Sequence, residues 1–183
     1  MIVIDIITPR EANHYVEAWH RHCQPVLRAQ QMFAMRIAEY HPPTKEWSTL
    51  GVLIVGNPCG RPAGSDRKLI KELRRVAFKQ DIIFHKIRRH YGDTGAEISR
   101  KQVPVIARLS GGTVGTVVPA NSLPSTFVDL ATQEAKHRLP SLKKIWTYVL
   151  EGESGAYLEQ AGYELEKKFT RRGQPKRRYG LAC

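Results

Sequence analysis

The sequence predicts an α/β fold in which a mixed, mostly antiparallel sheet is flanked by helices. Three observations predict this class. Apolar strand-like segments alternate with amphipathic helical segments near both ends of the chain, three strand-like segments in the first half are joined by short turns, and the later strands are joined by helices. Short turns join antiparallel strands and helical crossovers join parallel ones, so both kinds of pairing are expected. The 183 residues suit a single domain with one core.

The first half begins with the strand IVIDIIT and a helix. Thr8 is expected to cap this helix, with Pro9 at its first position and Glu11 completing a capping box. The helix ends before Pro25, which cannot continue it. Three strands follow, QMFAMRIAEY, TLGVLIVGNP and KLIKELRRVAF, of which the second is apolar almost throughout and is therefore expected to be buried on both faces.

The second half begins with a less regular stretch, which we interpret as an insertion at about residues 79–118. A strong helix follows in NSLPSTFVDLATQEAKHRL, with Asn121 or Ser122 as its cap. The chain then reads as a strand, KKIWTYVL, a short helix, SGAYLEQAG, and a further strand beginning YELEKKF. The basic turn RRGQPKRR and the closing RYGLAC indicate a basic C-terminal hairpin at about residues 164–183.

The charge is the strongest compositional signal, at +12 with a pI near 9.9. A field of this sign attracts polyanions, so nucleic acid is the expected partner class; a basic protein that is merely soluble is the alternative. Three cysteines without a CxxC pair indicate neither disulfides nor a cysteine zinc site. Neither a membrane-spanning apolar run nor a secretory signal is recognisable, so we expect a cytoplasmic protein without a membrane partner. The oligomeric state stays open, with a homodimer as one possibility.

Four segments carry a resemblance to a known family: REANHYVEAWHRHCQP, GVLIVGNP, KELRRV and TYVLEGESGAYLEQAGY. The order of elements is similar to that of the GNAT N-acyltransferases, and so is the short helix that leads into Ala161-Gly162-Tyr163. More narrowly, the four segments resemble a phage and prophage group of GNAT-related proteins that includes the Mom DNA-modification proteins. Matching positions within this group are Glu72, Arg75, His20, His22, Asn121, Ser125 and Ser154.

This resemblance implies transfer of a small glycine-derived (carbamoylmethyl) group to the N6 amine of adenine in double-stranded DNA, which protects the DNA from restriction. The donor is either acetyl-CoA or a glycine-derived molecule. GNAT proteins hold the coenzyme A pyrophosphate in a glycine loop at a helix start, where backbone N–H groups bind anions. Arg108-Leu109-Ser110-Gly111-Gly112-Thr113 offers such a loop through Gly111 and Gly112, and an ordinary turn is the alternative.

Four residues are candidates for catalysis. Glu72 is placed in a strand as a general base, and a solvated or salt-bridged glutamate is the alternative. Tyr148 lies near the end of the strand KKIWTYVL, Ser154 follows this strand, and Asn121 stands at the neighbouring helix start. We expect both helix starts to face one ligand, with Ser122, Ser125 and Gly155 holding the donor. Capping of the short helix is the alternative role of Ser154.

Two further sets of residues are candidates for binding. His20 and His22 could ligate iron or zinc, although histidines at a helix end more commonly interact with the helix dipole. Basic side chains are expected to hold the phosphate backbone of a nucleic acid, and a solvated basic loop is the alternative. These are Arg75, Arg88, Arg89, Lys167, Lys168, Arg171, Arg172, Lys176, Arg177 and Arg178.

Two other functions are alternatives to the DNA-modification interpretation. The first is an acyl-CoA-dependent GNAT acyltransferase that acts on a small amine or a protein. The second is a non-catalytic nucleic-acid-binding module, which would keep its affinity for DNA without Glu72 and Ser154.

Overall fold

The computed structural model describes residues 1–19, 25, 31–56, 75–80, 101–171 and 173–183. At positions 31, 75–80 and 171 only the backbone is described. Six residues with predicted roles therefore lie outside the described part of the chain: His20, His22, Glu72, Arg88, Arg89 and Arg172.

The described residues form strands and helices in the order β1 (Ile2–Ile7), α1 (Pro9–Trp19), β2 (Gln31–His41), β3 (Glu46–Gly56), β4 (Arg75–Gln80), β5 (Gln102–Leu109), β6 (Gly112–Pro119), α2 (Leu123–Arg138), β7 (Lys144–Leu150), α3 (Ala156–Gln160), β8 (Glu164–Arg171) and β9 (Gln174–Ala182). A single 3₁₀ turn, Ala120–Ser122, leads into α2.

The nine described strands belong to one sheet in the order β6-β5-β1-β2-β3-β4-β7-β9-β8. The pairs β1/β5 and β4/β7 are parallel, and the other described pairs are antiparallel. The predicted class, a mixed and mostly antiparallel sheet flanked by helices, is confirmed.

The helices cover the sheet on both faces. Helix α1 packs through Ala12, Tyr15 and Val16 against one face. Helices α2 and α3 cover the opposite face, where the larger core lies. Strand β3 is buried from Leu50 to Gly56 because it lies between these two layers, as its apolar sequence predicts.

The start of α1 shows how local chemistry sets an element boundary. The Glu11 amide donates to the Thr8 hydroxyl at 3.2 Å, and the Thr8 amide donates to a carboxylate oxygen of Glu11 at 2.8 Å. This is the predicted capping box. The hydrogen bonds from the Thr8 side chain and backbone lower the pKa of the Glu11 carboxyl.

Two stretches differ from the sequence interpretation. Within the range interpreted as an insertion, β5 and β6 are regular strands, and β5 pairs with β1 in the main sheet. Near the C-terminus the turn is confined to the region of Gly173, at φ +75°, and β9 begins at Gln174. The basic segment QPKRR is therefore strand, because β7 and β8 pair with it on both sides, and its successive side chains point to two different faces.

Candidate donor site and basic face

The sheet splits between the parallel strands β4 and β7. Their pairing stops at Phe78 and Thr147, although β4 continues to Gln80 and β7 to Leu150. Beyond this point Gln80 pairs with β3, whereas Tyr148 to Leu150 pair with β9. The carboxyl ends of two parallel strands therefore part, and ligands of α/β proteins bind in crevices of this kind.

The loop after β7 is held close to the sheet by its own backbone and by β9. The Glu153 amide donates to the Leu150 carbonyl at 3.0 Å, and the Leu150 amide donates to the Glu153 carboxylate at 3.2 Å. The Glu151 amide donates to the Pro175 carbonyl at 3.1 Å, and the Arg177 guanidinium donates to the Glu153 carbonyl. The entrance to α3 is thus fixed beside the split.

Gly155, at the start of α3, lies directly on a buried tyrosine. A Cβ at this position would overlap the hydroxyl and ring of Tyr179, which is fully buried. The Tyr179 hydroxyl donates to Glu159 at 3.3 Å, and burial raises the pKa of Tyr179. Glycine is therefore required here because α3 approaches β9 too closely for any side chain.

Ser154 has the geometry of the capping alternative. Its hydroxyl accepts a hydrogen bond from the Ala156 amide at 3.4 Å, and the residue is exposed. The structure describes no contact that would single out a catalytic role for this hydroxyl.

The start of α2 lies beside the same row of strand ends as the start of α3, but next to a different strand. The Ser122 hydroxyl donates to Asn121 at 3.5 Å, the Ser125 hydroxyl donates to the Ser122 carbonyl at 2.9 Å, and the Ala120 amide donates to Lys101 at 2.9 Å. Lys101 immediately precedes β5, which is five strand spacings from β7, or about 24 Å along the sheet. The structure therefore does not bring Asn121, Ser122 and Ser125 together with Ser154.

Solved structures of N-acetyltransferases share this architecture. Mutant forms of the spermidine/spermine N-acetyltransferase SpeG from Vibrio cholerae align with a TM-score of 0.51 at 10% identity, covering 100% of this chain and 95% of that chain. The aminoglycoside acetyltransferase AAC(6')-Ib, in complex with coenzyme A and kanamycin, gives 0.52 at 13% identity, with 100% and 95% covered. Arabidopsis thaliana NAA60, in complex with acetyl-CoA, gives 0.54 at 7% identity, with 100% of both chains covered. The chain has the GNAT fold.

Comparison by sequence adds no narrower assignment. No protein-family model matches the chain, and no curated protein matches it. The resemblance to the phage DNA-modification group stays a prediction.

The glycine pair of the predicted pyrophosphate loop lies far from the split of this GNAT fold. Ser110 and Gly111 form the turn between β5 and β6, and Gly112 has φ +124°. A strand, and not a helix, follows them, so the loop has the form of the ordinary-turn alternative. The side chain and amide of Ser110 both donate to Glu134 of α2, which also accepts from Arg138.

An aromatic and basic face covers the C-terminal end of the sheet, on the side opposite α2 and α3. We define this basic face by Tyr148, Lys167, Phe169 and Lys176. Tyr148 is 42% exposed, and its ring meets that of Phe169 edge-on at 5.7 Å between centroids. Because this contact reaches across β9 to β8, Tyr148 leans towards the hairpin and away from the split.

Arg178 does not belong to this exposed basic face. It is 9% exposed, its Nε lies 3.0 Å from Glu166, and its guanidinium sits over Trp146 at 5.3 Å. Lys144 also pairs with Glu166. An arginine buried in such pairs is not available to a phosphate backbone, so this predicted nucleic-acid contact is not supported. Arg177 and Lys168 occupy the opposite face of the hairpin.

Sequence reasoning missed the residues that organise this end of the sheet. Glu166 lies over Gly180, where a Cβ would overlap its carboxylate, and a β-bulge between Leu165 and Lys167 directs it there. Tyr179 and Glu159 support the entrance to α3 in a similar way. The only signal in the sequence was the pair of isolated glycines, Gly155 and Gly180.

Two predictions of other kinds concern a metal and a membrane. Among the described residues there is no group of three or more His, Cys, Asp or Glu side chains able to hold a metal ion, and the predicted ligands His20 and His22 are outside this set. None of the described helices is long and apolar enough to cross a membrane.

Proposed function

We propose that this protein is an acyltransferase that takes its acyl group from a coenzyme A thioester and delivers it to an amine. The observation that carries the proposal is the parting of β4 and β7 beyond the Phe78–Thr147 pair. Strand edges that have lost their neighbour present backbone N–H and C=O groups, and the pantetheine arm of coenzyme A carries amides that can pair with such an edge.

The proposed reaction at this split is direct transfer of the acyl group from the thioester to the amine. The amine nitrogen attacks the thioester carbonyl, the carbon–sulfur bond breaks, and the thiolate leaves while the nitrogen loses a proton. The protein's part is to hold the thioester and the amine at reacting distance, which accounts for a large share of the rate of bimolecular reactions. The fixed loop after β7 supplies one rigid wall for this purpose.

The net charge of the chain limits which amines are suitable acceptors of the acyl group. A net charge of +12 repels polycations. The solved neighbours named for spermidine/spermine and crystallised with kanamycin take such polycationic molecules, so we infer a different acceptor here. The proposed amine is carried by a neutral or anionic molecule.

Ligand binding and turnover test this proposal together. Coenzyme A at a hundred times its Kd should stabilise the fold by about 2.7 kcal/mol, measured as a rise in melting temperature, while pantetheine-free adenosine 3',5'-bisphosphate should stabilise it less. Thiol release from acetyl-CoA should depend on an added amine. No shift with coenzyme A and no thiol release would exclude the proposal.

The basic face favours a second candidate, which is transfer of a glycine-derived group to adenine N6 in double-stranded DNA. Its lysines and exposed Tyr148 suit a nucleic-acid backbone and an unstacked base. DNA from bacteria that express the wild type should then contain a new adenine nucleoside by mass spectrometry, and DNA from bacteria that express Glu72→Gln should not. Identical nucleoside profiles would eliminate this candidate and leave the first unaffected.

A further inference from the structure

The two edges of the sheet are built differently. Strand β8, at one edge, has five charged residues among its eight and carries the bulge near Glu166. Charged side chains and bulges are the devices that prevent an edge strand from pairing with another molecule. Strand β6, at the other edge, has neither device: its sequence is GTVGTVVP and its pairing with β5 is regular.

Among the described strands, none pairs with the outer side of β6. The two-residue turn makes Leu109–Gly112 the first hydrogen-bonded pair with β5, so the even-numbered residues of β6 bond inwards. The bond from the Ala120 amide to Lys101 continues this alternation. The N–H and C=O groups of Thr113, Gly115 and Val117 therefore point outwards, where no other described strand pairs with them.

The side chains along this edge are also exposed. Val114 is 49% exposed and Val117 is 61% exposed. The backbone nitrogen of Pro119 points away from β5, so its missing N–H removes no hydrogen bond of the ladder. The proline therefore does not prevent another strand from pairing with Thr113, Gly115 and Val117.

The distribution of charge indicates what covers this edge. Residues 109–128 contain no charged side chain, whereas residues 164–183 carry seven basic and two acidic residues, a net charge of 7 − 2 = +5. An acidic strand would find no cation to pair with on β6. A second copy would bring an equally uncharged strand, and the two C-terminal hairpins would lie at the far ends of the joined sheet, where their repulsion is weakest.

We propose that β6 pairs with β6 of a second copy across a twofold axis at Gly115. In this antiparallel register Gly115 faces Gly115 of the partner subunit, and Thr113 and Val117 of each copy exchange hydrogen bonds with Val117 and Thr113 of the other. The two sheets become one continuous sheet. The pairing covers only one short strand per copy, which places it among small interfaces, so the dimer should dissociate on dilution.

Two substitutions at one position test this dimer in the full chain. A Cβ at Gly115 would meet no atom within 4 Å, so Gly115→Ala fits the monomer. Proline is tolerated on an edge strand where the N–H points outwards, so Gly115→Pro removes no hydrogen bond to β5. Only proline removes the outward N–H, which deletes both central hydrogen bonds of the pair at once. Sedimentation velocity over about a hundredfold range of concentration should show a concentration-dependent dimer for the wild type and Gly115→Ala, and a monomer for Gly115→Pro.

A charged residue placed on β6 gives an independent test in case Gly115→Pro does not fold. Val117→Lys keeps an exposed position exposed and should also give a monomer, while Lys168→Gln at the other edge should dimerise like the wild type. A wild type that stays monomeric at every concentration would overturn the proposal. Dimers of Gly115→Pro or Val117→Lys as tight as those of the wild type would overturn it as well, because the interface would then lie elsewhere.

Discussion

Gly155 shows how a single residue fixes the position of a whole helix. Because a Cβ added at Gly155 would overlap the buried ring of Tyr179, Gly155→Ala must displace either α3 or Tyr179. Overpacking of this kind costs about 1–3 kcal/mol. We expect a loss of this size in the free energy of unfolding, measured by urea denaturation.

Gly152→Ala is the matched control for this substitution. Gly152 precedes the same helix, but a Cβ there would meet no atom within 4 Å, so its free energy of unfolding should stay close to that of the wild type. Equal stabilities of the two variants would mean that Tyr179 can move aside at little cost.

At the residue scale, contacts between near neighbours in the sequence were predictable and distant ones were not. The capping box of Thr8 and Glu11 follows from residue types three positions apart. The burial of Arg178 does not, because it depends on Glu166 and Trp146, which reach it from two other strands. A basic segment in a sequence does not reveal which of its side chains is already paired.

At the scale of elements, Glu134 joins α2 to the turn between β5 and β6. Its side chain is 1% exposed and accepts hydrogen bonds from Ser110 and from Arg138. Glu134→Gln would weaken these charge-assisted bonds and should lower the free energy of unfolding by about 2 kcal/mol. Asp129→Asn, on the exposed side of the same helix, should change it by less than about 0.5 kcal/mol.

The same contact predicts a dependence on pH. Burial raises the pKa of Glu134, but the hydrogen bonds from Ser110 and Arg138 outweigh burial and the net shift is downward. A carboxyl with a lowered pKa stabilises the fold above its ordinary value of 4.5, and this contribution is lost as the pH falls through the lowered value. The stability difference between the wild type and Glu134→Gln should therefore shrink in acid, and a constant difference would contradict this assignment.

The predicted elements failed mainly where strands contain polar or basic residues. The segment GTVGTVV belongs to the stretch interpreted as an insertion, yet its pairing with β5 makes it a regular strand of the main sheet. The segment QPKRR was predicted to be part of a basic turn, although β7 and β8 pair with it on both sides. Strand formation depends on neighbours that are distant in sequence, so local patterns predict it less well than they predict α2.

At the scale of the whole molecule, the sequence predicted the fold class and a basic surface but not which helix starts share a site. Sequence order does not show that β5 and β6 would enter the sheet beside β1 and place the start of α2 five strands from β7. A predicted meeting of two helix starts needs the strand order, which the sequence alone left open.

The basic face leads to the last prediction, which concerns salt. If Lys167 and Lys176 each neutralise one phosphate of double-stranded DNA, Lys167→Gln together with Lys176→Gln should reduce the slope of log K against log salt by about 1.8. The control pair, Lys45→Gln with Lys136→Gln, removes the same charge from a turn and from α2 and should leave the slope nearly unchanged. Fluorescence anisotropy of a labelled duplex measures both. Equal losses in the two pairs would show that the total charge attracts DNA without using this face, because a long-range field does not distinguish the positions of lysines as a contact does.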